Sequence, residues 1–497
     1  MFKNFPGYKL LEKIQKSNSH KRERKLPLNA IKLMFIVAIT SVIALLPTES
    51  FGIEGLTVVH QRIISLFVFA ALMWLTEAMP SWVTSMIVVT IMLLTVSTSA
   101  FNFLRPEDGA GLVPFKSIMA CFANPTIMLF IGGFVLAIGL TKVKLDVALA
   151  RVLLKPFGTR SEIVLLGFIL VTAIFSAFVS NTATAAMMLA FLTPVLKSLP
   201  ADGKGRIALA LAIPVGANLG GMITPIGTPP NMIALDYLSS QGMGISFVDW
   251  TIKMAPFVIV LLLLSWLLLR VLFPFKQKHI KIEIEGDIKW DRHTWSVVAA
   301  FVITIFMWMF GTDLWGVDTN VVAMIPIAIF CATGILTRRD LEEINWSVLW
   351  MVAGGFALGV ALNYKDASSA SLSSLIVNTV PFDNFSPLVV MILAGVICFG
   401  FSNFISHSAA TSLLVPVLGV VAGGLGSSLD NFGGPQAMLV GIAIASSVSM
   451  ILPISTPPNA IAHSTGFIEQ KDMMKVGIII GLMGLALGYA MLIFIGF

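Results

Sequence analysis

The sequence predicts an all-α polytopic membrane protein, with about 11 transmembrane helices and two re-entrant hairpins arranged as inverted repeats. Three observations carry that expectation. Uncharged apolar runs long enough to cross a hydrocarbon core recur along the whole chain, and the mean hydropathy is +0.92. A small polar island inside such a run occurs twice, as Phe175-Ser-Ala-Phe-Val-Ser-Asn-Thr182 and as Phe401-Ser-Asn-Phe-Ile-Ser-His-Ser408. Two later runs are each interrupted by Thr-Pro-Pro-Asn, at Thr228–Asn231 and Thr456–Asn459.

With 57% hydrophobic and 12% charged residues in 497, the chain has too little polar surface for a soluble globule of its size. Strands of a membrane barrel would alternate, and these runs do not. The net charge of +6 could suggest a nucleic-acid partner. Most of the Lys and Arg, however, fall in segments that the span count puts on one side, which is the positive-inside bias, and no nucleic acid is expected. Cys121, Cys331 and Cys398 lie far apart in apolar surroundings, so neither a metal site nor a disulfide is expected.

In order, residues 1–30 read as a basic cytoplasmic tail and 31–60 as the first helix and its loop. Residues 61–275 form a first repeat, 276–292 a polar cytoplasmic linker, and 293–497 a second repeat. The first spans are placed at 31–47, 62–79, 82–99 and 125–142, followed by an interfacial amphipathic helix over Leu145–Leu154. The run Ile163–Val195 holds the first polar island near its middle. The part beyond the island reaches only about 20 Å at 1.5 Å per residue, too short to cross, which predicts a hairpin entering from the cytoplasm. A fifth span over 207–240 is broken at Thr224–Asn231, where three prolines and a glycine cannot continue a helix. Spans at 254–273, 294–312, 319–337 and 346–364 follow. A second hairpin over 386–420 enters from outside, a span over 436–465 is broken at Pro453–Asn459, and the last span is 474–496. This count puts the N-terminus in the cytoplasm and the C-terminus outside.

Gly132-Gly-Phe134 and Gly354-Gly-Phe356, the two islands and the two breaks match in order at offsets of 222, 226 and 228. An odd number of crossings separates the hairpins, so the copies are inverted. Inverted repeats with discontinuous helices in corresponding places point to a secondary transporter with its site at the midplane. A lone Ser-Asn-Thr reads as a helix cap or as interhelical polar glue. Its duplication beside paired breaks makes it a candidate site instead, since each hairpin's second leg would aim unsatisfied N–H groups at an anion. The Gly-Gly pairs read as close-packing positions. No phosphate-binding loop marks a pump, and no nucleophile with a base marks an embedded enzyme. A channel would use similar elements.

These motifs resemble the divalent anion/sodium symporter family, which includes the INDY-type dicarboxylate transporters, over about residues 60–497. The resemblance implies a homodimer with scaffold and transport domains working as an elevator, and a C4 or C5 dicarboxylate held by the two tips. By that resemblance Ser180, Asn181, Thr182 and Thr228 hold one carboxylate, and Ser406, His407, Ser408 and Thr456 the other. Ser176, Ser180, Asn181 and Gly227 match one sodium site, while the other is altered at Ser402, His407 and Ser455. The departure is His407, which stands where the family has Asn. Imidazole is no hard ligand for sodium, and if protonated it would supply the cation's charge itself. The expectation is therefore sodium-independent exchange of succinate-, malate-, fumarate- or 2-oxoglutarate-type anions in the cell membrane, without a cofactor. Sodium-coupled symport is the alternative, and sulfate or arsenite carriage a further one.

Overall fold

The computed structural model describes residues 26–107, 109–200, 203–280, 290–367 and 369–497. The tail expected at 1–30 therefore lies almost wholly outside the described residues, as does most of the linker, 281–289. Among the described residues the architecture is entirely helical, with two isolated bridges and no strand. Among the described residues seven helices are long and apolar enough to cross a membrane, and seven shorter apolar helices accompany them.

Most expected spans appear within a few residues of their places. Val58–Thr76, Ser81–Thr95, Phe247–Leu272, Arg292–Trp315, Trp346–Asn363 and Gln470–Phe494 are helices, and the first span shifts to Leu26–Leu45. Two differ. The fourth span begins earlier, because the helix Phe115–Ala120 and the turn Cys121–Ala123 run into Pro125–Lys142 and extend it to 28 residues. The expected span 319–337 is instead two short helices, Thr319–Val322 and Met324–Ala332, ended by Gly334 at φ +70°. The amphipathic helix Leu145–Leu154 is present, and an unanticipated helix, Leu372–Thr379, starts at its repeat position, an offset of 372 − 145 = 227.

Both hairpins and both breaks form. The first hairpin pairs Ser161–Ser176 with Asn181–Ser198, and the second pairs Pro387–Ser402 with His407–Leu425. The first broken helix is Gly205–Gly220 with Pro229–Ser240, and the second is Gly434–Ser447 with Pro457–Ser464. Each resumes at the first proline of Pro-Pro-Asn, where a missing N–H costs nothing and φ is already helical. The cap residues Thr228 and Thr456 are extended, so the chain turns out of one segment before entering the next.

The repeats are interlocked by swapped contacts. Gly132 lies against Ala323 of the second repeat, where an added Cβ would come within 2.5 Å of the Ala323 carbonyl. Gly354 lies against Ser85 of the first repeat, whose hydroxyl donates to the Met351 carbonyl at 3.2 Å. Likewise the first hairpin's second leg packs on Pro457–Ser464, and the second hairpin's on Pro229–Ser240. Hairpins, broken helices, Phe247–Leu272 and Gln470–Phe494 thus form one packing group, and the helices Val58–Thr76, Ser81–Thr95, Pro125–Lys142, Met324–Ala332 and Trp346–Asn363 another, with Trp346–Asn363 also packed on the second hairpin's second leg.

Candidate functional site

The two hairpin tips start their second legs in the same way. Ser180 caps its leg by accepting from the Ala183 N–H at 3.2 Å, and Ser406 caps its own by accepting from the Ala409 N–H at 3.3 Å. Serine is a strong N-cap because its short hydroxyl reaches the third N–H of the helix. Residues 180–182 and 406–408 are half-buried, so each tip keeps an open side. The first-turn N–H groups and the positive helix end there suit an anion.

Behind the first tip the donors are oxygens. Ser176 Oγ lies 2.6 Å from Asn181 Oδ1 and 2.7 Å from the Ala217 carbonyl of the first broken helix. A hydroxyl has one proton, so it cannot donate to both acceptors at once. Gly221 adjoins Asn181 so closely that an added Cβ would come within 2.7 Å of Oδ1, and a Cβ on Gly227 would meet Gly221. This cluster of neutral oxygens fits a hard monovalent cation, which Ser176, Asn181 and Ala217 would hold. Ser180 is engaged as the cap, and Gly227 acts by letting the break approach.

Behind the second tip the chemistry differs. His407 Nε2 lies 2.5 Å from the Ser449 carbonyl, the repeat counterpart of Gly221. A carbonyl only accepts, so Nε2 carries the proton, a condition met by the neutral Nε2–H tautomer and by the imidazolium alike. Ser402 Oγ donates to Ser446 Oγ at 3.2 Å, and Ser446 Oγ donates to the His407 carbonyl at 3.0 Å. Ser455 is drawn away, donating to the Asn403 carbonyl at 2.9 Å. The residues here do not fit a sodium ion, because a ring N–H already spans tip and break.

Four asparagines outside the expected site residues hold this frame. Asn403 accepts from the Ile451 N–H at 2.9 Å and donates to the Phe399 carbonyl at 2.7 Å, tying the second break to its hairpin. Asn218 donates to Asn459 Oδ1 at 3.1 Å, linking the two broken helices, while Asn459 donates to the Met450 and Leu452 carbonyls. In the first break Asn231 donates in the same way to the Gly221 and Thr224 carbonyls. A buried amide inside an apolar span is the signal that would have found Asn218.

Thr228 and Thr456 are buried at the two breaks; Thr456 accepts from the Asn459 N–H at 3.2 Å, and Thr228 makes no such cap. A cavity of about 870 Å3 lies elsewhere, between the two packing groups. None of the eight expected substrate residues lines it.

Comparison with known proteins agrees with this architecture. Residues 28–496 match the family profile described as the sodium:sulfate symporter transmembrane region. An uncharacterised transporter of Haemophilus influenzae is 30% identical over 469 residues, covering 91% of this chain and 94% of its own. A sodium-dependent dicarboxylate transporter, SdcS of Staphylococcus saprophyticus, is 28% identical, covering 85% of this chain and 83% of its own. Among solved structures, the YdaH transporter of Alcanivorax borkumensis, described as having an unusual topology, superposes with a TM-score of 0.53. It is 14% identical and covers 88% of this chain and 99% of that one, a likeness of fold alone.

Proposed function

The chain belongs to the sodium:sulfate symporter transmembrane-region family, and from that premise we propose that it exchanges C4 and C5 dicarboxylates across the membrane without coupling to sodium. That it is a multi-pass membrane transporter follows from the family and its apolar helices. The finer reading rests on one observation above others, the hydrogen bond from His407 to the Ser449 carbonyl. On this reading a ring N–H takes the place of the second cation. A dicarboxylate has two charged ends, and two helix starts related by a pseudo-two-fold offer one patch to each. Ser180, Asn181 and Thr182 with Thr228 take one end, and Ser406, His407 and Ser408 with Thr456 the other.

The hairpin and broken-helix group moves as a body against the second packing group, and two copies associate through the latter. The basic N-terminal side faces the cytoplasm, with the C-terminus outside. No cofactor takes part.

Sodium-coupled symport is favoured by a different observation, the oxygen cluster of Ser176, Asn181 and Ala217 in the first half. The sodium-dependent relative also supports it. Uptake of radiolabelled succinate into preloaded and empty proteoliposomes, each with sodium or choline, separates the readings. Exchange predicts uptake only into preloaded vesicles, equal in both salts. Uptake into empty vesicles that needs a sodium gradient refutes it, and competition by sulfate but not succinate refutes the substrate class.

A further inference from the structure

The 870 Å3 cavity is bounded on one side by Asn124, Thr126, Phe356 and Tyr364, and on the other by Asp236 of the first broken helix and Ser412 of the second hairpin. Its chemistry is not that of an anion site. No Lys, Arg or His lines it, and two carboxylates, Asp236 and Asp318, do. Asp236 sits within an apolar broken span, where a lone carboxylate is costly unless it serves a purpose.

Asp236 has no cationic partner in any ion pair among the described residues. Instead its Oδ1 accepts from Thr126 Oγ1 at 2.8 Å, and the side chain of Asn124 also reaches the carboxylate. Asn124 Oδ1 is already engaged by the Thr126 N–H at 2.7 Å, so its amide N–H is what faces Asp236. Both donors stand at the start of Pro125–Lys142, whereas Asp236 rides on Pro229–Ser240. The bond therefore crosses from one packing group to the other. The other titratable groups around Asp236 are Tyr237 on its own helix, Cys121, Asp318 and Tyr364, and none carries positive charge. Ser412 Oγ, on a residue 1% exposed, lines the same cavity without any hydrogen-bond partner, a polar atom that water in the cavity would satisfy.

We propose that Asp236 takes a proton from water in this cavity and that its neutralisation frees it from Thr126, making movement of the hairpin group proton-linked. The step is a simple protonation: a hydronium ion gives its proton to a carboxylate oxygen, and an O–H bond replaces the charge. A hydroxyl holds a carboxylate more strongly than it holds a neutral acid, so the proton weakens the latch. It also removes the cost of drawing a bare charge away from its donors into apolar surroundings. The inference rests on the carrier reading only in requiring a unit that moves.

Two measurements on the purified full-length protein in lipid test it. In the first, proteoliposomes hold equal succinate on both sides and an acid-outside pH gradient is imposed. The parent's initial rate of label uptake rises above its rate at equal pH. Asp236→Asn retains counterflow at equal pH but loses that response, and Asp236→Glu keeps it. An Asn variant that responds like the parent overturns the proposal, since the response then comes from protonated succinate or another group. A response to sodium in place of pH, lost in the same variant, overturns it too. The second measurement needs no transport. An infrared pH titration of the parent minus Asp236→Asn reads the carboxylic-acid band of Asp236, which appears as the pH falls; no titrating band overturns the proposal. If counterflow is absent from the parent but the band titrates, the dicarboxylate reading fails and the proton site stands.

Discussion

Replacing His407 by Asn is the sharpest perturbation of the tip asymmetry, and its size follows from one hydrogen bond. In the parent the ring Nε2–H satisfies the Ser449 carbonyl at 2.5 Å. Asn restores the amide oxygen that Asn181 supplies in the first half, but without a cation it leaves that carbonyl short of a donor. An unpaired buried acceptor costs about 1–3 kcal/mol. Sodium held by the new amide oxygen, Ser402 and Ser449 would offset that cost, and if it does so only in the substrate-competent tip, the energy appears as coupling. A coupling of about 1–3 kcal/mol is about 5–150-fold in apparent substrate affinity. The assay is succinate exchange over a concentration series, with sodium or choline outside, for parent and variant. The parent shows one half-saturation concentration in both salts, and His407→Asn shows a value at least about fivefold lower in sodium. A ratio near one for the variant, or a ratio above one already in the parent, refutes the argument that the imidazole stands in the cation's place.

Asn181→Ala removes an oxygen from the first tip while leaving the Ser180 cap; counterflow falls by about tenfold or more, the worth of one such polar contact at about 1.4 kcal/mol, while thermal unfolding hardly moves. Gly132→Ala drives a methyl against the Ala323 carbonyl and lowers stability by about 1–3 kcal/mol, whereas Gly359→Ala meets nothing within 4 Å and is neutral or slightly stabilising in the same unfolding assay. Burial pushes the Asp146 carboxyl, on the amphipathic helix, up to about 6. A folded value above the unfolded one means that stability is greatest below the ordinary carboxylate value of 3.8 and falls as pH rises through about 6. Two units are on the order of 3 kcal/mol, so Asp146→Asn unfolds at a higher temperature than the parent at neutral pH, and the two converge in acid.

The features legible in the sequence are those set by covalent constraint or local periodicity. Pro-Pro-Asn forbids a continuous helix wherever it stands, so both breaks fall where expected and both helices resume at the first proline. The first hairpin was legible for a related reason, since too few apolar residues remain after its island to cross; the second leg of the other, His407–Phe432, is long and apolar enough to cross, and the repeat is what marks it as a hairpin. The span expected at 319–337 stops short at Ala332 because its apolar run ends in a glycine turn at Gly334 that hydropathy does not register. The helix Leu372–Thr379 lies outside the apolar runs that mark spans, and the repeat offset from Leu145–Leu154 is the signal that places it.

The site divides along the same line. The residue types at the tips are local, and the substitution of His407 for Asn is visible to the eye. Its consequence is not local, because the carbonyl it engages is 42 residues away on the opposite element. Asp236 is the same problem in stronger form: one carboxylate in an apolar run is a visible oddity, but its partner, Thr126, is 110 residues distant and belongs to the other packing group. If the hairpins and broken helices move as one body, the contacts that differ between conformational states are those between the two packing groups, and these join residues far apart in sequence. The bonds most able to couple ions to movement are therefore those that a single sequence is least able to reveal. Thr126 to Asp236 is such a bond, and it joins the two groups directly. Thr126→Val separates latch from charge: it removes the donor but keeps the carboxylate, so exchange at equal pH becomes faster and the response to a pH gradient is weakened. If both the rate at equal pH and the gradient response match the parent's, the latch argument fails.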